Sequence, residues 1–347
     1  MLQTMNRLYN LDYLRGLAAF GIMIYHYAMW GAGNFSADTF LGRLGVYGVS
    51  IFYVLSGLTL YYVYYDKMTP SRHDLYLFFK KRIFRIFPLL WLVTFVAIYL
   101  SGKSPDLTDL FLNLTGLFGF VKWDTYFSPG IWSIGNELVF YLFFPFFILL
   151  TKKYKILMLV LSIILLGLYL YFAFVRLPNV EKVDQWRNYI NPLNQVFLFL
   201  GGFLIGLFFH NKSFNNRFLL SLLIFTLLIF IFYPVSGNQF NIEIGFHRLV
   251  FTACCFVICF CFYKLTIPSS KFIHKPLSLL GEASYSVYLL HPIVYELVGR
   301  FSMHTFQLSH LVRLIIATIL TLVISYLVYL YIEKYFMKLG SSRRLPI

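Results

Sequence analysis

The sequence predicts an all-α, polytopic integral membrane protein, a bundle of about ten transmembrane helices with both termini in the cytoplasm. Three observations predict it. Of 347 residues, 59% are hydrophobic and 12% charged, too little polar surface to clothe a soluble domain of this size. Apolar runs of about 20 residues, the length that crosses a hydrocarbon core, recur along the whole chain. Lys and Arg alternate between loops: with the N-terminus inside, 20 of the 29 fall at cytoplasmic ends and loops, the asymmetry of the positive-inside rule. The same alternation accounts for the formal net charge of +15 without a nucleic-acid partner. The first span carries no small-residue cleavage pattern, and no long polar stretch offers a second domain, so 1–347 reads as a single membrane domain.

The spans are expected near 11–31, 42–65, 84–101, 129–150, 155–175, 193–209, 218–236, 246–263, 277–298 and 310–332. The first cytoplasmic loop is the most basic, with Lys67, Arg72, Lys80, Lys81, Arg82 and Arg85. The longest external connection, 102–128, has an apolar middle (LFLNLTGLFGF) expected to dip into the membrane, and 176–192 forms a polar lip. Arg343 and Arg344 read as topology signals at an anionic leaflet. Cys254, Cys255, Cys259 and Cys261 crowd one apolar span with no neighbouring His or carboxylate, which favours packing over a metal site.

Four stretches carry residue types that lipid tolerates poorly. In YLRGLAAFGIMIYH, Arg15 and His26 have ten residues between them. At roughly 100° and about 1.5 Å per residue they share a face roughly 16 Å apart, with Asp12 one turn before Arg15 to hold it. Ionisable groups at this depth are functional candidates by default, against a snorkelling arginine and a satisfied core histidine. In PGIWSIGNELVFYLFFP, Ser133, Glu137 and Tyr141 recur at every fourth residue, with Trp132 and Asn136 at the same stride beside them. Interhelical hydrogen bonding is the bland account of that face. In KKRIFRIFP, Arg82 and Arg85 fall side by side if helical, ready to hold phosphates or, more plainly, lipid headgroups. In LLGEASYSVYLLHP and the turn after it, Ser284, Tyr288, His291 and Tyr295 form a polar stripe on one helix face.

Taken in order, these segments resemble the acyltransferase 3 family of bacterial inner-membrane proteins. LDYLRGLAAFGIMIYH is similar to its opening helix and GVYGVSIFYVLSG to its second. Arg82-Ile-Phe-Arg85 is similar to its paired-arginine motif, and WSIGNELVFYLFFP to its Trp-Ser…Glu…Tyr…Pro segment. FLFLGGFLIG resembles its glycine-rich helix, and SYSVYLLHP its late Ser-Tyr…His motif. The resemblance implies transfer of an acyl group, usually acetyl, from cytoplasmic acyl-CoA to a hydroxyl of a cell-envelope glycan such as lipopolysaccharide O-antigen. It implies a multi-pass location in the bacterial inner membrane, acetyl-CoA as donor substrate with no tightly bound cofactor and no metal, and contacts with membrane lipids and a lipid-linked saccharide acceptor. No fused SGNH esterase-like domain is expected.

On that resemblance His26 and Glu137 are the candidate catalytic residues. His26 takes the proton of the attacking hydroxyl, or relays the acyl group, while Glu137 orients its ring. Arg15, Arg82 and Arg85 bind the donor, with Asp12 as structural support. Ser133, Asn136 and Tyr141 offer hydrogen bonds to a developing oxyanion, Trp132 stacks on sugar, and Tyr288 and His291 contact substrate. The competing readings are a flippase or transporter of a lipid-linked glycan, which predicts internal repeats that the chain lacks, transfer of another acyl group such as succinyl to exopolysaccharide, and a non-enzymatic interaction protein.

Overall fold

The computed structural model describes residues 8–69, 71–266, 270–302 and 309–341; Arg343 and Arg344 lie outside them. The described chain is helical, with no strand among the described residues. In order, α1 is Tyr9–Ala32, α2 Phe40–Tyr64, α3 Arg72–Ser101, α4 Leu107–Thr115, α5 Phe118–Val121, α6 Ile131–Lys153 and α7 Lys155–Tyr171. There follow α8 Lys182–Tyr189, α9 Pro192–Phe209, α10 Asn216–Phe232, α11 Phe240–Glu243, α12 Gly245–Lys264, α13 Lys271–Glu282, α14 Ser284–Phe301, α15 His310–Val328 and α16 Lys334–Ser341.

Seven of the described helical stretches are long and apolar enough to cross a membrane: α2, α3, α6, α7 with its continuation to Asn179, α8 with α9, α12, and α15 with α16. Helix α10 is apolar but shorter. Helices α1 and α14 fall outside that set, and they are the two that carry His26 and His291. Their polar side chains dilute the apolar signal that the other spans display.

Two expectations change. Helix α3 begins at Arg72, capped by the Ser71 hydroxyl, well before the expected span. Arg82 and Arg85 are therefore helical and are carried into the bundle. The span expected over 277–298 is two helices. The chain breaks at Ala283, and the Ser284 hydroxyl bonds the Gly281 carbonyl at 2.8 Å, satisfying a C-terminal carbonyl of α13. The connection 102–128 is built of α4 and α5.

Helices α2 and α9 form the centre. A Cβ on Gly57 would lie 2.0 Å from the Phe199 carbonyl oxygen, and one on Gly202 1.9 Å from that of Val54. Two facing glycines thus let the backbones meet, the usual way membrane helices gain packing energy without a hydrophobic driving force. Outer helices present apolar faces instead: Ile156 on α7 is 78% exposed and Leu311 on α15 65%. At the end of the bundle where α1 finishes, buried Arg43 donates to the carbonyls of Ala37 at 2.8 Å, Phe230 at 2.8 Å and Tyr233 at 2.6 Å. The last two close the open end of α10. The four cysteines are buried free thiols and act in packing.

Replacing Gly202 with Ala is expected to cost about 1–3 kcal/mol through overpacking, read as a lower unfolding midpoint of detergent-solubilised protein. Gly167→Ala, where a Cβ meets nothing within 4 Å, is the control and is expected to leave the midpoint unchanged or raised. Equal midpoints for the two variants would contradict the close α2–α9 approach.

Candidate active site

Five helices enclose a cavity of about 110 Å³, and each contributes polar side chains from the faces read in the sequence. Arg15 comes from α1, Ser56 and Thr59 from α2, Arg82 and Arg85 from α3, Ser133, Glu137 and Tyr141 from α6, and Tyr288 from α14. A second cavity of about 290 Å³ lies towards the end where α1 begins and shares Arg15, Thr59 and Arg85 as common wall. Three guanidinium groups and one carboxylate line the first cavity, so its field favours an anion.

Each arginine is held differently. Arg15 donates to the Asp12 carboxylate at 3.1 Å and to the Thr59 hydroxyl, so Asp12 supports Arg15 as expected. Arg82 donates to the Tyr64 hydroxyl at 3.4 Å and lies over the Tyr141 ring at 5.6 Å. Its Nε is buried with no hydrogen-bond partner among the described residues. Arg85, one turn on, lines both cavities.

The expected partnership of Glu137 with His26 is not formed. The Glu137 carboxylate accepts from the Ser56 hydroxyl at 2.7 Å and from the Tyr141 hydroxyl. His26 is paired with His291: Nδ1 of His26 and Nε2 of His291 are 2.9 Å apart. His291 Nδ1 in turn lies 3.2 Å from the Val287 carbonyl. Trp30 lies parallel to both imidazoles, within 10° of His26 and 15° of His291. The Tyr27 hydroxyl donates to the His291 carbonyl at 2.9 Å and so accepts from the Thr321 hydroxyl at 2.7 Å, tying α1, α14 and α15 together here.

Other expected roles also move. Ser133 has a single hydrogen, committed to the Gly130 carbonyl at 2.9 Å, so in the 2.8 Å contact with Tyr288 the tyrosine donates. Ser133 and Tyr288 satisfy each other at the far end of the cavity rather than offering free donors. Asn136 points away from the cavity: its amide donates to the Tyr53 hydroxyl at 3.1 Å and the Ile190 carbonyl at 3.0 Å. Trp132 is only 7% exposed and lies beneath Trp186, which is 46% exposed. Trp186 is fixed by donation of its indole N–H to the Tyr126 hydroxyl at 2.8 Å, and burial raises that phenol above its ordinary range. Trp123 donates to the Arg187 carbonyl at 2.8 Å, and Arg187 pairs with Asp124 at 3.4 Å, so the loops around α5 and α8 are stapled together.

Sequence reasoning missed Ser56, Thr59, Trp30 and Glu333. Glu333 is 3% exposed, accepts from the Ser286 hydroxyl and lines the second cavity from the π-helical turn Tyr329–Glu333. A π-turn is a common mark of functional sites, but it leaves no trace in periodicity. Among the described residues, no group of three His, Cys, Asp or Glu side chains is arranged to hold a metal ion.

Helices lining an anion-favouring cavity beside a histidine pair fit a membrane-embedded group-transfer protein. The acyltransferase domain family matches residues 8–330, and the chain belongs to this acyltransferase 3 family. It is similar to O-acetyltransferase OatA of Staphylococcus aureus (strain NCTC 8325 / PS 47), at 26% identity over 350 residues, covering 89% of this chain and 55% of that protein. A proposed acetyltransferase, ORF330, of the Acidianus two-tailed virus is 26% identical over 295 residues, covering 82% of this chain and 83% of that protein. The chain thus spans about half the length of the OatA relative. No solved structure matches.

Asn136→Ala is expected to lower stability by about 1–3 kcal/mol, because buried acceptors lose their donor, read as the unfolding midpoint of detergent-solubilised protein. An unchanged midpoint would contradict this structural role.

Proposed function

We propose that this chain is an O-acetyltransferase, moving an acetyl group from acetyl-CoA on the cytoplasmic side to a hydroxyl of a cell-envelope glycan, such as lipopolysaccharide O-antigen, on the other. The reading places it in the bacterial inner membrane. The reading counts α1, α10 and α14 with the seven apolar spans as ten crossings, and takes the side of both termini as cytoplasmic from the Lys and Arg asymmetry. The observation that carries the proposal is the three-arginine cavity whose far wall, at Tyr288, lies one helical turn from the His26–His291 pair. Family membership and relatives named as O-acetyltransferases support it.

In this mechanism the CoA phosphates sit against Arg15, Arg82 and Arg85, where forked guanidinium donors suit phosphate oxygens and Arg82 Nε gains an acceptor. The flexible arm of the donor passes Glu137 and Tyr141 and presents its thioester beyond Ser133 and Tyr288. A sugar hydroxyl gives its proton to His26 as its oxygen attacks the thioester carbon. The tetrahedral intermediate collapses, the C–S bond breaks, and the proton returns from His26 to the departing thiolate, leaving an ester and free CoA. The acceptor stacks on Trp186 and its neighbours rather than on the buried Trp132, because sugar C–H faces need an accessible ring.

Two measurements test this. In proteoliposomes, the Arg82→Ala, Arg85→Ala double variant is expected to raise the KM for acetyl-CoA at least tenfold, since removing a charge-assisted hydrogen bond costs about 1.5–3 kcal/mol; an unchanged KM would reduce the pair to topology signals. His26→Gln keeps hydrogen bonding but cannot take up the proton. It is expected to cut glycan acetylation about 10²–10⁴-fold, read by mass spectrometry of surface glycans at matched membrane protein levels. Near wild-type acetylation in that variant would remove His26 from the chemistry.

A further inference from the structure

The histidine pair sets the tautomer of each ring, and its catalytic meaning rests on the reading of His26 as the proton acceptor. The Val287 carbonyl can only accept a hydrogen bond, so the His291 Nδ1 facing it at 3.2 Å carries hydrogen. A neutral His291 then has a bare Nε2. That lone pair faces His26 Nδ1 at 2.9 Å, and a bond there requires His26 Nδ1 to carry hydrogen. His26 Nε2 is consequently the bare nitrogen. Both tautomers follow from the bonding partners, the way such assignments are made when hydrogens are placed by their network. Two imidazolium rings could not adopt this arrangement, because both facing nitrogens would be donors.

The rest of the geometry agrees. The ring planes are within 10° and the centroids 5.0 Å apart, so the imidazoles meet edge to edge with the N–H in line with the lone pair. His291 has no exposed surface, whereas His26 is partly exposed. His291 has both nitrogens engaged and cannot reach a substrate; His26 has one nitrogen engaged and one open. Tyr27 holds the His291 backbone, and Trp30 lies alongside both rings.

We propose that His291 is a positioning residue that fixes His26 in the Nδ1–H tautomer, so that Nε2 of His26 is the atom that accepts the acceptor hydroxyl's proton. When Nε2 takes that proton, the Nδ1–H already points at the His291 lone pair, which shares the charge. His291 thus takes the place that a carboxylate holds in the familiar triads, and Glu137 is left to the donor cavity.

The test uses the full chain in nanodiscs with ¹⁵N-labelled histidine. The difference spectrum between wild type and His26→Gln is expected to contain a ring with protonated Nδ1 and bare Nε2. An Nε2–H ring there overturns the proposal. Transfer from acetyl-CoA is measured in parallel. His291→Leu removes the lone pair and is expected to lose about 10²–10⁴-fold in kcat with KM for acetyl-CoA unchanged. His291→Gln returns a carbonyl oxygen able to accept from Nδ1–H and is expected to recover kcat to within about tenfold of wild type. Wild-type kcat in His291→Leu, or equal losses in the Leu and Gln variants at equal thermal stability, would sink the relay. If wild type shows no transfer at all, the functional reading fails, while the tautomer spectrum still decides the geometry.

Discussion

Charged and polar side chains on membrane-length helices must be sheltered from lipid, and the rest of this structure depends on how that is done. An unsheltered arginine or carboxylate near the middle of a span costs at least about 2.5 kcal/mol. Arg15, Arg82 and Arg85 meet that constraint by facing one another's helices across a polar cavity. Two of them have evident support: a carboxylate and a hydroxyl for Arg15, aromatic rings for Arg82. Three guanidinium groups line one cavity against one lining carboxylate, Glu137, with Asp12 paired to Arg15 behind it, an arrangement that suits a ligand of negative charge. Arg43 shows the contrasting case, a buried guanidinium whose three nitrogens each donate to a backbone carbonyl, as a structural clamp.

Much of this was legible in the sequence. Hydrophobic runs placed most of the long helices to within a few residues, and the stride-of-four pattern put Ser133, Glu137 and Tyr141 on one face. Ser133, Glu137 and Tyr141 do line one cavity with Arg15, Arg82 and Arg85. What periodicity cannot supply is the neighbour across a helix interface. Ser56, 81 positions from Glu137, is an ordinary serine in an apolar span until α2 is laid against α6. The His26–His291 contact joins residues 265 positions apart. Since any polar group in a span needs a partner, the sequence invited the pairing of histidine with the best hydrogen-bond acceptor on view, Glu137, and the fold supplied another imidazole instead.

The misread elements have similar causes. The break at Ala283 hides because α13 and α14 are apolar enough to read as one span; only the Ser284 bond to Gly281 marks it. Asn136 shares a stride with Trp132 but sits on the flank of α6 that meets Tyr53 and Ile190, a choice set by the rotation of α6 rather than by its pattern. Trp132 and Trp186 are alike as tryptophans, and only the packing of α8 against the start of α6 decides which one is accessible.

The proposed reaction sets one further requirement, that the bundle pass an acyl group while holding back water and protons. The arginine-lined cavity ends where Tyr288 donates to Ser133, and the histidine pair begins one turn further along α14. Beside that point Gly130 has φ 91°, a left-handed conformation, and a Cβ there would lie 3.3 Å from the Tyr288 ring. The turn that starts α6 is therefore packed directly against the tyrosine that lies between the arginine-lined cavity and the histidine pair. A single neutral hydrogen bond is worth about 1 kcal/mol net, so in the proposed reaction an arm bearing a thioester would open it readily. A charged pair at the same place would have cost far more to separate in this low-dielectric setting. The polarity of the bundle is graded accordingly: cationic where the phosphates would arrive, hydroxyl-lined where the thioester would pass, and neutral imidazole where the proton would move.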